Sequence, residues 1–147
     1  MFGLKRVDHI SMAVWSIDDQ LPFFTELLGL TLNGRFRNEA EGYAGATLDF
    51  PNKQLQMELL EPLGEDGFVA RFLRERGPGF HHVTIETDDV QGAADAMREH
   101  GIEPFQGIGG PAEFRHTYIH PKASGGLLWQ VFSSSGQPRQ KDGQTPK

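Results

Sequence analysis

The chain contains no cysteine. Disulfides and thiolate metal sites are therefore excluded. Cationic residues are in deficit, with 14 Lys and Arg against 20 Asp and Glu and a net charge of −6. With no cationic surplus to neutralise phosphates, nucleic acid is not expected as a partner. No stretch approaches the roughly 18–20 apolar residues of a membrane span, and residues 1–6 carry no apolar signal core. A membrane partner is not expected, and a cytoplasmic location is. No nucleophilic serine motif occurs, so covalent acyl chemistry has no support.

What is present is an ordinary globular composition, 37% hydrophobic and 23% charged over 147 residues. A chain of that length buries roughly 68–70% of its unfolded surface as one domain. One local setting occurs twice. Val7-Asp8-His9-Ile10-Ser11-Met12 opens the chain, and His81-His82-Val83-Thr84-Ile85 opens its second half. In each, apolar and polar residues alternate with the period of a strand. In each, an aspartate-bearing turn follows (Asp18-Asp19; Asp88-Asp89), then a helical pattern closed by Gly29 or Gly101.

The first helix is expected to bury Leu21, Phe24, Leu27 and Leu28 as one stripe, with Ser16 as its N-cap. Strands are expected at 30–36, 43–50 and 54–60, and Phe68, Val69, Phe72 and Leu73 place a linking helix at 65–76. The second half repeats the plan: strand 80–87, helix 90–100, a short strand at 102–106, a glycine-rich loop through Gly107-Ile108-Gly109-Gly110, and a hairpin over 115–133. Each half reads as βαβββ. The expected fold is α+β, a single domain at 1–133 built from modules 5–62 and 79–133. A four-stranded half cannot cover its own apolar face, so the two are expected to combine into a cupped, barrel-like mixed sheet. Residues 134–147 are polar and read as a disordered tail.

His9 and His82 stand 73 residues apart, and Glu58 and Gln130 stand 72 apart. Alternation puts all four opposite the apolar neighbours Ile10, Met57, Val83 and Trp129. Two imidazoles with oxygen donors suit a divalent ion: Zn, Ni, Co, Mn or Fe(II). Taken singly, each residue also has an ordinary reading, a strand-start histidine or the solvent face of a half-buried strand. Matched offsets favour His82 over His81. The glycine-rich stretch precedes a strand rather than a helix, so it reads as a rim or hairpin and not as a phosphate cradle. Arg115, His116, His120 and Lys122 on the last hairpin read either as a solvated edge or as an anion-binding rim. Glu58, His116 and His120 are the candidate proton carriers.

Several runs carry a family resemblance: Val7-Asp8-His9-Ile10, Met57-Glu58-Leu59-Leu60-Glu61-Pro62, Gly79-Phe80-His81-His82-Val83 and His120-Pro121-Lys122-Ala123-Ser124-Gly125-Gly126. The chain resembles the vicinal oxygen chelate superfamily (glyoxalase, bleomycin resistance, dioxygenase), and within it the methylmalonyl-CoA epimerases. The resemblance implies paired βαβββ modules, a homodimer, and a divalent metal held by His9, Glu58, His82 and Gln130. It implies proton transfer next to a carbonyl, as in an epimerase, isomerase or lyase, on a small molecule such as an acyl-CoA. Two positions depart from the epimerase pattern. Gln130 stands for the family's glutamate ligand, and Gly45 stands where the epimerases have a glutamate base. A site with one carboxylate leaves a bound divalent ion with a net charge of about +1. The same fold also serves non-catalytic binding and resistance proteins and Fe(II) ring-cleaving dioxygenases.

Overall fold

The computed structural model of the chain describes residues 1–134. Ser134 apart, the tail expected over 134–147 lies outside the described residues. The elements follow as β1 (Leu4–Ala13), α1 (Ile17–Pro22), β2 (Thr31–Asn38), β3 (Tyr43–Asp49), β4 (Gln56–Pro62), α2 (Phe68–Arg76), β5 (Gly79–Thr87), α3 (Val90–Glu99), β6 (Phe105–Gly109), β7 (Arg115–Ile119) and β8 (Leu128–Ser133). This is the expected α+β succession, βαβββ twice with α2 between. The strands form one mixed sheet in the order β2-β3-β4-β1-β5-β8-β7-β6. Within each half the first and last strands run parallel, β1 with β4 and β5 with β8. The remaining neighbours in each half are antiparallel.

Two compact units divide the described residues, one of His9–His81 and one of Met1–Asp8 with the residues from His82 onward. The first unit has two apolar clusters. Ala46, Leu48, Met57 and Leu59 on one face of β3 and β4 pack with Val14, Ile17, Phe24 and Leu30. Tyr43 and Leu60 on the other face pack with Ala13 and with Val69 and Leu73 of α2. Leu48 and Leu59 are fully buried, and truncating such a leucine to alanine costs about 2–5 kcal/mol. Ser16 caps α1 as expected, its hydroxyl accepting from the Asp19 amide, while a Glu61 carboxylate oxygen accepts from the Ile17 amide at 3.1 Å. Two of the orphan donors of the first turn are thereby satisfied.

The expected stripe on this helix is only half right. Phe24 is buried, but Leu27 is 71% and Leu28 48% exposed. Pro22 lies inside the helix, where its ring removes a donor and clashes with the preceding turn. The chain responds with a π-turn at Phe23–Leu27, closed by the Leu28 amide on the Phe23 carbonyl. The wider turn breaks the 3.6-residue period and swings the last two leucines off the core face.

The second unit packs Ile85, Ala93 and Val131 with Phe2, Val83, Ile119 and Trp129. Asp89 caps α3 by accepting from the Gln91 and Gly92 amides. Arg6 pairs with both Asp8 and Glu86 at 2.9 Å, fixing the start of β1 to β5. The glycine-rich stretch is not a loop. Gly107-Ile108-Gly109 belongs to β6, an edge strand whose pairing slips between Phe105↔Tyr118 and Gly109↔His116. Between these pairs three residues of β6, 106–108, stand against one of β7, Thr117. Gln106 and Gly107 take up the excess at φ +65° each, a left-handed bulge that glycine adopts at no steric cost.

Candidate metal centre

In the first unit, β1 and β4 pair so that His9 faces Gln56 and Ser11 faces Glu58. Adjacent parallel strands put paired residues on the same face, so His9, Ser11 and Glu58 share one. All three are buried, Glu58 fully. The Ser11 hydroxyl donates to Glu58 Oε1 at 2.6 Å, and His9 Nε2 lies 3.8 Å from that oxygen. On the next strand Thr47 faces Glu58. Its hydroxyl is buried and makes no hydrogen bond.

The second unit repeats this grammar. His82 faces Leu128 and Thr84 faces Gln130 across β5 and β8. The Thr84 hydroxyl donates to Gln130 Oε1 at 2.9 Å. His82, Thr84 and Gln130 are all buried. Ser11 and Thr84 were not singled out from the sequence. The available signal was a hydroxyl residue two positions after each histidine, on the same face, at the same 73-residue offset.

One ligand atom from each of His9, Glu58 and His82 lies within 4.8 Å of the other two. The chemistry of this set fits a divalent ion. A fully buried carboxylate is costly unless its charge is compensated, and two imidazoles beside it complete a nitrogen and oxygen donor set. The unpartnered Thr47 hydroxyl faces the same carboxylate strand and offers a polar group to whatever occupies the site. Gln130 lies two positions along β8 from Leu128, the residue opposite His82, and points to the same side.

The other candidates fall outside this group. His81 turns from the site and packs its ring on Phe68 and Phe72 of α2, at 5.0 and 5.1 Å. His120 starts the 3-10 turn at Pro121–Ala123, its Nδ1 accepting from the Lys122 amide, and its ring meets Phe105 edge-on. His116 is half-buried on the face of β7 that carries Tyr118, opposite Gln130. Burial pulls its pKa below the ordinary histidine value, against the Phe114 carbonyl and with Arg115. That carbonyl is not placed to make a hydrogen bond with Nδ1, which is buried and unpartnered. Arg115 alternates to the opposite face from His116 and donates to the Gly110 carbonyl at 3.2 Å.

Gly45 faces Phe36 on β2 and Leu60 on β4. A Cβ on Gly45 would collide with the tip of the Phe36 ring, 2.5 Å from Cε1 and closer still to Cζ. The aromatic ring fills the space a side chain at 45 would need.

Residues 8–119 match the family model of the glyoxalase/bleomycin resistance protein/dioxygenase superfamily. The chain belongs to this superfamily. An ethylmalonyl-CoA/methylmalonyl-CoA epimerase of Cereibacter sphaeroides is 30% identical over 134 residues, covering 87% of this chain and 97% of that protein. An uncharacterised Bacillus subtilis protein, YqjC, is 28% identical over 138 residues, covering 90% and 95%. The crystal structure of methylmalonyl-CoA epimerase from Mycobacterium tuberculosis superposes with a TM-score of 0.78 at 27% identity, covering 92% of this chain and 90% of that one. The α+β fold with its mixed eight-stranded sheet is that of the superfamily, and His9, Glu58 and His82 form a group that could hold a metal. No helix among the described residues is long and apolar enough to cross a membrane.

Proposed function

We propose that this member of the superfamily is a divalent-metal-dependent enzyme that moves a proton at the carbon next to a carbonyl, as an epimerase, isomerase or lyase on an acyl-CoA or related small carbonyl compound. The observation that carries the reading is the approach of one ligand atom each from His9, Glu58 and His82 to within 4.8 Å. His9, Glu58 and His82 would hold the ion, with Gln130 supplying a neutral oxygen. When bound, the ion would supply Lewis acidity that lowers the energy of a carbonyl oxygen as it gains charge.

The chain's own residues do the rest. Ser11 orients the Glu58 carboxylate and Thr84 orients the Gln130 amide, so both oxygens are held before any ligand arrives. With Gln130 neutral, Glu58 is the one carboxylate in the set, and a bound ion keeps a net charge of about +1 that favours an anionic oxygen. Thr47 has a free hydroxyl to donate to a substrate oxygen. The acyl-CoA class comes from the relatives, whose names specify ethylmalonyl-CoA and methylmalonyl-CoA. The proposal extends to a homodimer in the cytoplasm, and light scattering checks the first of these.

One observation favours a second reading, a binding protein of the same fold without turnover. The Phe36 ring leaves no room for an acid or base at position 45.

The test is elemental analysis of the purified protein, followed by deuterium uptake into methylmalonyl-CoA in heavy water. Wild type is expected to carry about one divalent ion per chain and to exchange the proton, and Glu58→Ala to lose both. Exchange persisting in metal-free protein would overturn the metal-dependent reading. Bound metal with tight ligand binding and no exchange would establish the binding protein.

A further inference from the structure

We infer that His116 carries the proton in this chemistry, seated for the task by Gly109 at the end of the neighbouring edge strand and Gly110 just beyond it; the inference rests on the metal-dependent reading above.

In the second unit, Thr84 is opposite Gln130, Gln130 is opposite Tyr118, and Phe132 is opposite His116. His82, Thr84, Gln130, Tyr118 and His116 therefore project from one side of β5, β8 and β7. Of the acid and base groups on that side, most are committed. His82 belongs to the proposed ligand set, and Gln130, an amide, is neither an acid nor a base. Glu86 is occupied by the Arg6 guanidinium and the Ser134 hydroxyl, each at 2.9 Å. His120 spends Nδ1 on capping the turn that follows it. Tyr118 carries a phenol, which in free tyrosine titrates only in the alkaline range. His116 remains, an imidazole, the side chain suited to giving and taking a proton in the physiological range.

The seat of His116 is built, and it needs glycine. A Cβ on Gly110 would stand 2.7 Å from His116 Nδ1 and closer still to the Phe114 carbonyl oxygen, and Gly110 sits at φ +87°, where side chains are strained. Gly109, directly opposite His116, would bring its Cβ only to ordinary contact, 3.7 Å from Nε2. The bulged, glycine-rich end of β6 thus lets the ring lie against the strand edge. Burial there favours the neutral imidazole, the form able to accept a proton.

The duplicated register adds an independent observation. His116 faces Phe132, two residues beyond Gln130, and Gly45 faces Leu60, two residues beyond Glu58. His116 is therefore the second module's counterpart of Gly45. The first module has glycine at this place and no titratable group, and the Phe36 ring occupies the space above it. The second module has an imidazole.

In the step, an imidazole nitrogen takes the proton from the carbon beside the carbonyl. The carbon–hydrogen bond breaks, a nitrogen–hydrogen bond forms, and the electron pair moves onto the carbonyl oxygen. Return of the proton to the same carbon restores the neutral imidazole, so no further reactant is consumed.

The test compares wild type with His116→Gln, using methylmalonyl-CoA in heavy water over a range of pH, with the metal content of each measured. The variant is expected to keep its metal, to lose kcat for exchange by about 100-fold or more with KM changed less than about threefold, and to lose the acid limb of the pH profile. Exchange within about threefold of wild type, with the acid limb intact, overturns the inference and leaves the metal site standing. If His116→Gln loses its metal, His116→Ala with added imidazole decides: restored exchange supports the inference, and no restoration overturns it. Wild-type protein that takes up no metal overturns the underlying reading, and this inference with it.

Discussion

The Ser11 hydroxyl donates to Glu58 Oε1 at 2.6 Å, across two parallel strands and 47 residues of sequence. A hydrogen bond to a carboxylate is among the stronger kinds, and this one is buried. It fixes which oxygen of Glu58 turns toward His9 Nε2, 3.8 Å away. Ser11→Ala is expected to leave the fold intact and to weaken metal affinity by roughly 10–100-fold. Competition with a fluorescent chelator measures this. Unchanged affinity would mean that Glu58 is oriented by other neighbours.

Gln130 occupies the place in the second module that Glu58 occupies in the first, with Thr84 in the role of Ser11. Exchanging the amide for a carboxylate changes the charge and hardly the shape. Gln130→Glu is expected to tighten metal binding by about tenfold or more, since a second charge is set against the ion in a poorly screened site. Dialysis against a chelator, followed by elemental analysis, distinguishes the two proteins. Weaker retention in the variant would place Gln130 outside the ligand set.

The Phe36 ring as placed leaves no space for a side chain at position 45. Gly45→Ala is expected to destabilise the protein by about 1–3 kcal/mol through overpacking. Phe36→Ala loses aromatic burial on its own account. Together the two should be less damaging than the sum, because the alanine at 45 then has room. A double-mutant cycle in urea reads this directly, and strict additivity would show that the ring is not what excludes the side chain.

His116 gives stability a pH dependence whose sign is fixed by the direction of its shift. Its folded-state pKa is lowered, chiefly by burial, below the ordinary value of 6.5 that the unfolded chain retains. Above that value the imidazole is neutral in both states and contributes no pH dependence. As pH falls below it, the unfolded chain takes up the proton first, and stability is lost until the folded-state pKa has been passed. Wild type is therefore expected to lose thermal midpoint relative to His116→Gln as pH drops below about 6.5. Melting curves of the two proteins over that range check the prediction, and parallel curves would contradict it.

Much of this protein was legible without coordinates. The period-two alternation around His9 and His82, and the matched offset of Glu58 and Gln130, fix which side chains share a face, because strand geometry leaves only two faces. The helix over α3 was readable for a similar reason, with Ala93, Ala94 and Met97 on one stripe; that Asp89 caps it is shown only by the structure. The failures have local causes. Pro22 forces a π-turn that no apolar periodicity announces, so Leu27 and Leu28 come out exposed. The glycines at 107 and 109 looked like a loop, yet they pair as a bulged edge strand. Three residues set against one is decided by the partner strand, not by the stretch itself.

The sequence by itself determined the duplication, the strand and helix order, and the donor types available to a metal, since these depend on residue chemistry and on spacing along the chain. Only the tertiary structure decided that Ser11 and Thr84 hold the two oxygens, that the Phe36 ring fills the space over Gly45, and that Gly110 makes room for the imidazole of His116. Each of those is a contact between strands joined by register. Register is set by the packing of both faces at once, so no segment read alone contains it.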